Sequence, residues 1–320
     1  MEKVLLPERI IDEGLELLKD KAEIIITKDA SEQSIIDEVS DTFAIILRSK
    51  AKITRSIIEA APKLKVISRT GAGYDNVDVQ AATEHNVMVC NLPGINTVAV
   101  AEHTISLMLA LLKQLPKMDL YVRNGQWGKR SEFISEEAFG KTIGIVGLGK
   151  IGREVMFRCK SMGMHVLVYD PYVENALKDN DIRFCNDVET LFTQSDVITL
   201  HVPNIPENKK MVDEHLIRLM KPTAYIINTS RGEVIDQGAL TSALKEHRIA
   251  GAGLDVFAQE PIEQDDPLLT LDNVILTPHA AALTKESGIK MTVEAVKQVI
   301  DCLEGRIPPY IVNRRELHLE

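Results

Sequence analysis

Three short segments of the chain end in side chains able to hold an anion or move a proton: IINTSRG at 226–232, GLDVFAQEP at 253–261 and NVILTPHAA at 273–281. Each begins as the short apolar run of a buried strand and then breaks at a glycine or a proline, so Arg231, Glu260 and His279 fall just past strand ends. Arg231 suits a carboxylate, because a planar guanidinium makes two parallel hydrogen bonds to it. His279 is a proton donor and acceptor near neutrality, and a carboxylate on its second ring nitrogen would fix the tautomer and raise its pKa. Glu260 supplies such a carboxylate. Taken singly, each residue also reads as an ordinary surface or loop residue; their appearance at successive strand ends is what points to a site.

A fourth segment binds rather than reacts. Gly147-Leu148-Gly149-Lys150-Ile151-Gly152 directly follows the run KTIGIV and opens the helical pattern GREVMFRCKSMG. Strand, glycine turn and helix in that order are the context of a dinucleotide cradle: the first glycine makes the turn, the second admits the pyrophosphate, and the third lets helix and strand pack. The phosphates then meet free N–H groups and the positive end of the helix dipole. The next run, HVLVYD, ends at Asp170, placed to accept from the adenosine ribose hydroxyls. Pro171 and Tyr172 offer no cation for a 2′-phosphate, so NAD is expected over NADP.

SRTGAGYDNVD at 68–78 carries a second Gly-x-Gly, but Asn76 stands where a third glycine would fall and the next run, NVMVC, ends at Asn91 without an acid. It is therefore not a second dinucleotide site. Two readings remain: a clasp of backbone N–H groups for a small anion such as a carboxylate, or a strand-to-helix turn that needs glycine for space. Arg48-Ser49-Lys50, at the end of the run FAIILR, and Arg69 beside the loop are likewise either an anion site or solvated cations.

These residues are positioned by alternating strands and helices. KVLLP, AEIIIT, FAIILR, LKVISR and NVMVC lie within the first ninety or so residues; TIGIVG, HVLVYD, IRFC, DVITLH, TAYIINT, AGAGLD and NVILT follow from Lys141. Between them, residues 100–123 read as a long apolar helix interrupted at Pro116, and a helix from Thr284 precedes an extended tail. The alternation predicts parallel α/β sheets, and a chain of 320 residues predicts two domains. An apolar face on the last helix needs a partner layer, which makes the first domain discontinuous, 1–99 with 286–320, leaving 100–285 as the dinucleotide domain.

A formal charge of −10 opposes nucleic acid as a partner. No apolar run approaches the roughly 20 residues of a membrane span, and MEKVLLPERI lacks the apolar stretch of a signal peptide, so a cytoplasmic location is expected. Cys90, Cys159, Cys185 and Cys302 are widely spaced and the histidines show no ligand spacing, so neither disulfides nor a metal is expected.

With GAGYDNVD, NTVAVAEH, GLGKIG, LHVP, NTSRGEVID, GLDVFAQEP and TPHAA in this order, the chain resembles the NAD-dependent D-2-hydroxyacid dehydrogenases, which include phosphoglycerate, glycerate and hydroxypyruvate-reducing enzymes. The resemblance implies two doubly wound parallel-sheet domains, one Rossmann and one flavodoxin-like, with the active site in the cleft between them. It makes Arg231 the binder of the substrate carboxylate, His279 the acid/base and Glu260 its partner, with Ala72 and Gly73 on the same carboxylate. It adds cofactor contacts at Thr97, His201, Val202, Pro203, Thr229, Asp255 and His279, and a homodimer through the helix near Ala101. One departure is Ile205, where the family usually has Thr. A C-terminal regulatory domain is not expected. Arg48 and Ser49 favour 3-phosphoglycerate over hydroxypyruvate or glyoxylate as the substrate. Two rivals share parts of this pattern: formate- or phosphite-oxidising NAD enzymes, and a non-catalytic NAD-sensing module, which has no need of an acid/base histidine.

Overall fold

The computed structural model describes residues 1–173 and 182–319. They divide into two compact units, Met1–Asn96 with Leu283–Glu320, and Thr97–Ala282.

The first unit runs β1 (Lys3–Leu6), α1 (Asp12–Leu18), β2 (Glu23–Ile26), α2 (Glu32–Ile36), β3 (Thr42–Leu47), α3 (Arg55–Glu59), β4 (Val66–Arg69), α4 (Val79–Glu84) and β5 (Met88–Cys90). The five strands pair in the order β2-β1-β3-β4-β5, all parallel, the flavodoxin-like winding. Val4, Leu5, Ile45, Ile46 and Ile67 are fully buried, as the unbroken apolar runs require of strands covered on both faces.

The second unit runs α5 (Thr97–Leu112), α6 (Leu115–Arg123), β6 (Thr142–Val146), α7 (Lys150–Ser161), β7 (His165–Tyr169), β8 (Ile182–Phe184), α8 (Val188–Gln194), β9 (Val197–Leu200), α9 (Glu214–Leu219), β10 (Tyr225–Asn228), α10 (Gln237–Lys245), β11 (Gly251–Leu254) and β12 (Val274–Leu276). Its seven parallel strands follow the order β12-β11-β10-β9-β6-β7-β8. From β6 the chain winds out to β8, then returns to β9 and winds the other way, so the strand order reverses between β6 and β9. Open α/β sheets bind ligands outside the carboxyl ends of their strands at such a point.

One apolar cluster covers the face that carries α8, α9 and α10, and another the face that carries α5 and α7. The helix expected over 100–123 is two helices. Gln114 takes a left-handed conformation (φ 52°) and Pro116 sits in the first turn of α6, where its missing N–H costs no helical bond. No single described helix is long and apolar enough to cross a membrane.

The chain then returns to the first unit as α11 (Lys285–Leu303), started by the Thr284 side chain accepting from Ser287 N–H. Its buried face packs on α1, β3 and β4, and Ser68 Oγ donates to the Ala295 carbonyl at 2.9 Å. The tail is held on β5 by Asn313, whose side chain accepts from Val89 N–H and donates to the Val87 carbonyl, both at 3.0 Å.

Candidate active site

Register places the predicted residues of the second unit along one edge of its sheet. Val146 pairs with both Tyr169 and Leu200, Leu200 with Asn228, Asn228 with Leu254, and Leu254 with Leu276. The residues that follow, namely Gly147, Asp170, His201, Thr229, Asp255 and Thr277, therefore share the carboxyl edge.

At the switch point the glycines meet three different demands. Gly147 has φ +91° and a Cβ there would stand 2.5 Å from the His201 carbonyl oxygen. At Gly152 a Cβ would meet the Gly147 carbonyl oxygen at 2.1 Å, so only glycine lets α7 close on the turn. Around Gly149, by contrast, nothing lies within 4 Å of the position a Cβ would take. It is the residue before α7 and gives no side-chain cap, so the cap residue's side chain takes none of the first N–H groups of this twelve-residue helix. Asp170 is locked in place by accepting from Leu148 N–H at 2.7 Å and Tyr172 N–H at 2.9 Å. A carboxylate has about four acceptor positions, which leaves two for ribose hydroxyls. A tight turn, an uncapped helix start and a fixed acid at the next strand end fit a dinucleotide.

At the other side of the sheet three loops converge. After β10, Asn228 Oδ1 accepts from Ser230 N–H and Oγ–H, and its Nδ2 donates to the Arg231 carbonyl at 2.9 Å. This local turn brings Arg231 round, and a Cβ on Gly232 would lie 1.9 Å from the Phe257 carbonyl carbon. That close approach carries the Arg231 turn against the loop of Glu260. Arg231 Nη1 donates to the Ser230 carbonyl at 2.7 Å.

His279 Nδ1 stands 2.7 Å from Glu260 Oε2, while Glu260 Oε1 accepts from Phe257 N–H at 3.1 Å. Burial works against the charged form of Glu260. The hydrogen bond and charge of His279, the Phe257 N–H and the positive charge of Arg231 outweigh it, so the carboxyl lies below the usual range. An ionised carboxylate only accepts, so Nδ1 of His279 carries the proton and Nε2 is the atom left for chemistry.

His279 itself has φ 52°, a region a side chain rarely enters, and its loop is pinned from below. Its N–H donates to the Asp255 carbonyl at 2.7 Å; Ala280 and Ala281 N–H donate to the two Asp255 carboxylate oxygens, each at 2.8 Å. Asp255, expected as a cofactor contact, is buried, and these described contacts all serve the His279 loop. Thr229, also expected to touch the cofactor, is buried with its hydroxyl 2.8 Å from that of Thr104. His201 Nε2 lies 3.0 Å from Thr199 Oγ1, while its buried Nδ1 has no partner among the described residues. Ile205 precedes the short 3-10 turn Pro206–Asn208. Thr97 begins α5, and Val202 packs against the second unit's core.

The residues predicted in the first unit occupy the carboxyl edge of its own sheet. Leu47 pairs with Arg69, so Arg48 and Ser49 leave β3 beside the glycine loop that leaves β4. Asn91 Nδ2 donates to the Ala72 carbonyl at 2.7 Å and Leu92 N–H to the Gly71 carbonyl at 2.9 Å, which fixes the turn leading to Gly73. Arg48 is exposed, with its carbonyl accepting from Asn76 at 3.0 Å. Sequence reasoning missed Asn228, Thr277, His103 and the anchoring role of Asp255. The Asn-x-Ser before the arginine is the one local signal that could have shown a side-chain-stabilised turn.

Residues 105–281 match the family model described as D-isomer specific 2-hydroxyacid dehydrogenase, NAD binding domain. The chain is 43% identical over 305 residues to a D-3-phosphoglycerate dehydrogenase of Synechocystis sp., covering 95% of this chain and 55% of that one, so it spans about half the length of that relative. It is 40% identical over 319 residues to a glyoxylate reductase of Korarchaeum cryptofilum, covering 98% of this chain and 96% of that one. Among solved structures, D-lactate dehydrogenase from Aquifex aeolicus complexed with NAD and lactic acid superposes with a TM-score of 0.88 at 30% identity, covering 97% and 99% of the two chains.

Proposed function

We propose, from the premise that this chain belongs to the D-isomer-specific 2-hydroxyacid dehydrogenase family, that it is an oxidoreductase acting between NAD(H) and a small D-2-hydroxy acid or its 2-oxo acid. The observation that carries this reading is the 2.7 Å contact of His279 Nδ1 with Glu260, whose carboxylate also feels Arg231, on the sheet edge that holds the glycine turn.

NAD, when bound, takes or gives the hydride at the substrate C2. Gly147, Gly149 and the start of α7 would hold the pyrophosphate, and Asp170 the adenosine ribose. His279 Nε2 gives a proton to the C2 oxygen in reduction and removes it in oxidation. Glu260 holds the ring by Nδ1 and stabilises the imidazolium that forms in oxidation. Arg231 orients the carboxylate next to the reacting carbon, a positioning role. In the first unit, the loop at Ala72 and Gly73 is proposed to bind a carboxylate, and Arg48 with Ser49 a second anion.

For the acid, we favour 3-phosphohydroxypyruvate and 3-phosphoglycerate, with hydroxypyruvate and glyoxylate as the nearer alternatives. Following reduced nicotinamide absorbance with these three oxo acids, in wild type and Arg48→Ala, tests the reading. A loss confined to the phosphorylated acid supports Arg48 as its anchor; equal rates on all three acids in both proteins refute that assignment. Oxidation of formate or phosphite instead would move the chain to a related chemistry, and tight NADH binding without any turnover would make it a sensor.

We further place the chain in the cytosol as a homodimer. The four cysteines are free, as a reducing compartment keeps them. Leu115, Leu120, Val122 and Trp127, on and just after α6, are exposed large apolar side chains of the kind an interface covers. Sedimentation equilibrium should give twice the chain mass, and Leu120→Asp should shift it toward one; a monomeric wild type at micromolar concentration sinks the dimer.

A further inference from the structure

We propose that His103 is a positioning residue for His279, acting through Thr277 and Asp255; the inference rests on the role given to His279 above. His103 lies in the second turn of α5, on a different element from Asp255, Glu260 and Thr277. Its Nε2 stands 3.0 Å from Thr277 Oγ1, and Thr277 Oγ1 stands 2.5 Å from Asp255 Oδ1.

Proton counting fixes the direction of this chain of contacts. Thr277 Oγ1 donates to Asp255 Oδ1 at 2.5 Å, the oxygen that also accepts from Ala280 N–H, so its single hydroxyl proton is committed there. Thr277 Oγ1 then meets His103 with a lone pair, and His103 Nε2 must carry the hydrogen. The order is His103 to Thr277 to Asp255. Asp255 in turn takes the N–H groups of Ala280 and Ala281 on its carboxylate and that of His279 on its carbonyl. The backbone so gripped is the one that holds His279 at φ 52°.

Removing the His103 donor leaves Thr277 Oγ1 with an unmet acceptor and frees it to rotate away from Asp255. The loop then loses a side-chain contact that ties it sideways to α5, and the His279 ring drifts from its working position. His103 itself touches none of the reacting atoms in this scheme, so it orients rather than transfers. The rival explanation is a polar niche that contributes only to stability.

The two are separated by stopped-flow single turnovers with preformed enzyme–NADH and hydroxypyruvate. In such a trace the exponential rate constant reports the chemistry of properly folded molecules, while the amplitude reports how many there are. His103→Ala should lower the rate constant by between about 10- and 100-fold with the amplitude kept. His103→Gln, which retains an N–H donor, should recover most of it. A wild-type rate constant in His103→Ala, or a loss seen only in amplitude, overturns the proposal, as does an equal slowing in the Gln and Ala variants. His279→Asn is run alongside. If it turns over normally, the role of His279 has failed; if it is dead while the His103 variants are normal, only the present inference has.

Discussion

The geometry at His279 divides its two nitrogens between two tasks. Nδ1 is occupied by a carboxylate that several neighbours keep ionised, so the ring cannot flip without losing that bond, and Nε2 is left for the proton exchange proposed above. A general acid/base group held this way contributes about 10² to 10⁴ in rate. His279→Asn should therefore lower kcat by roughly that factor, while NADH affinity, read by quenching or calorimetry, stays near wild type. A mutant with near-normal kcat would remove His279 from the chemistry. Asp255 and Thr277 show that a buried acid near a site can work on backbone orientation, through main-chain N–H groups, as well as on a ligand.

Among the elements, the strand-end turns carry the precision. Gly232 is the clearest instance, because a Cβ there would sit 1.9 Å from the Phe257 carbonyl carbon and 2.5 Å from Ala258 N, which is backbone and cannot swing aside. Gly232→Ala should push the Arg231 turn off the loop of Glu260. Overpacking of this kind costs about 1–3 kcal/mol, and the displaced guanidinium should also raise KM for the acid more than for NADH. Urea denaturation and steady-state kinetics check the two parts. An alanine variant with wild-type stability and KM would mean that the two turns do not depend on each other. Gly149 is the opposite case: nothing lies within 4 Å of the position a Cβ would take, so packing does not require glycine there.

Across the molecule, His201 and Glu260 are two of the groups whose depressed folded pKa values shape the pH response of stability. Burial pushes His201 down to about 3 from its usual 6.5; although the residue keeps some surface, its ring nitrogen Nδ1 is enclosed and has no partner among the described residues. Above pH 6.5 the imidazole is neutral folded or unfolded and has no effect. Between about 6.5 and 3 the unfolded chain takes up a proton that the folded one refuses, so stability falls as the pH drops through that window. Glu260 acts lower: its contribution is present above 4.5 and lost as pH falls through its folded value. The urea midpoint should decline steadily from pH 7 to pH 5, and His201→Asn, which cannot titrate there, should flatten that slope. An unchanged slope in the variant would show that the ring gains a proton without unfolding.

The sequence by itself determined the twelve described strands, their parallel pairing, the glycine turn after β6 and the positions of Arg231, Glu260 and His279 past strand ends. Those features are written in local signals: unbroken apolar runs for strands covered on both sides, glycines where a Cβ has no room, and prolines that stop strands. It also placed the break near Pro116, though as an interruption rather than two helices, because the left-handed Gln114 that completes the break has no signature of its own. What only the tertiary structure decided is which side chains grip which loops. Thr277, Asp255 and His103 are common residue types separated along the chain, and their hydrogen bonds exist only once α5 lies beside the ends of β11 and β12. The 2.7 Å pairing of His279 with Glu260 likewise needs both turns in place, because hydrogen bonds are short-ranged and the spacing of residues in sequence does not encode distances across a sheet.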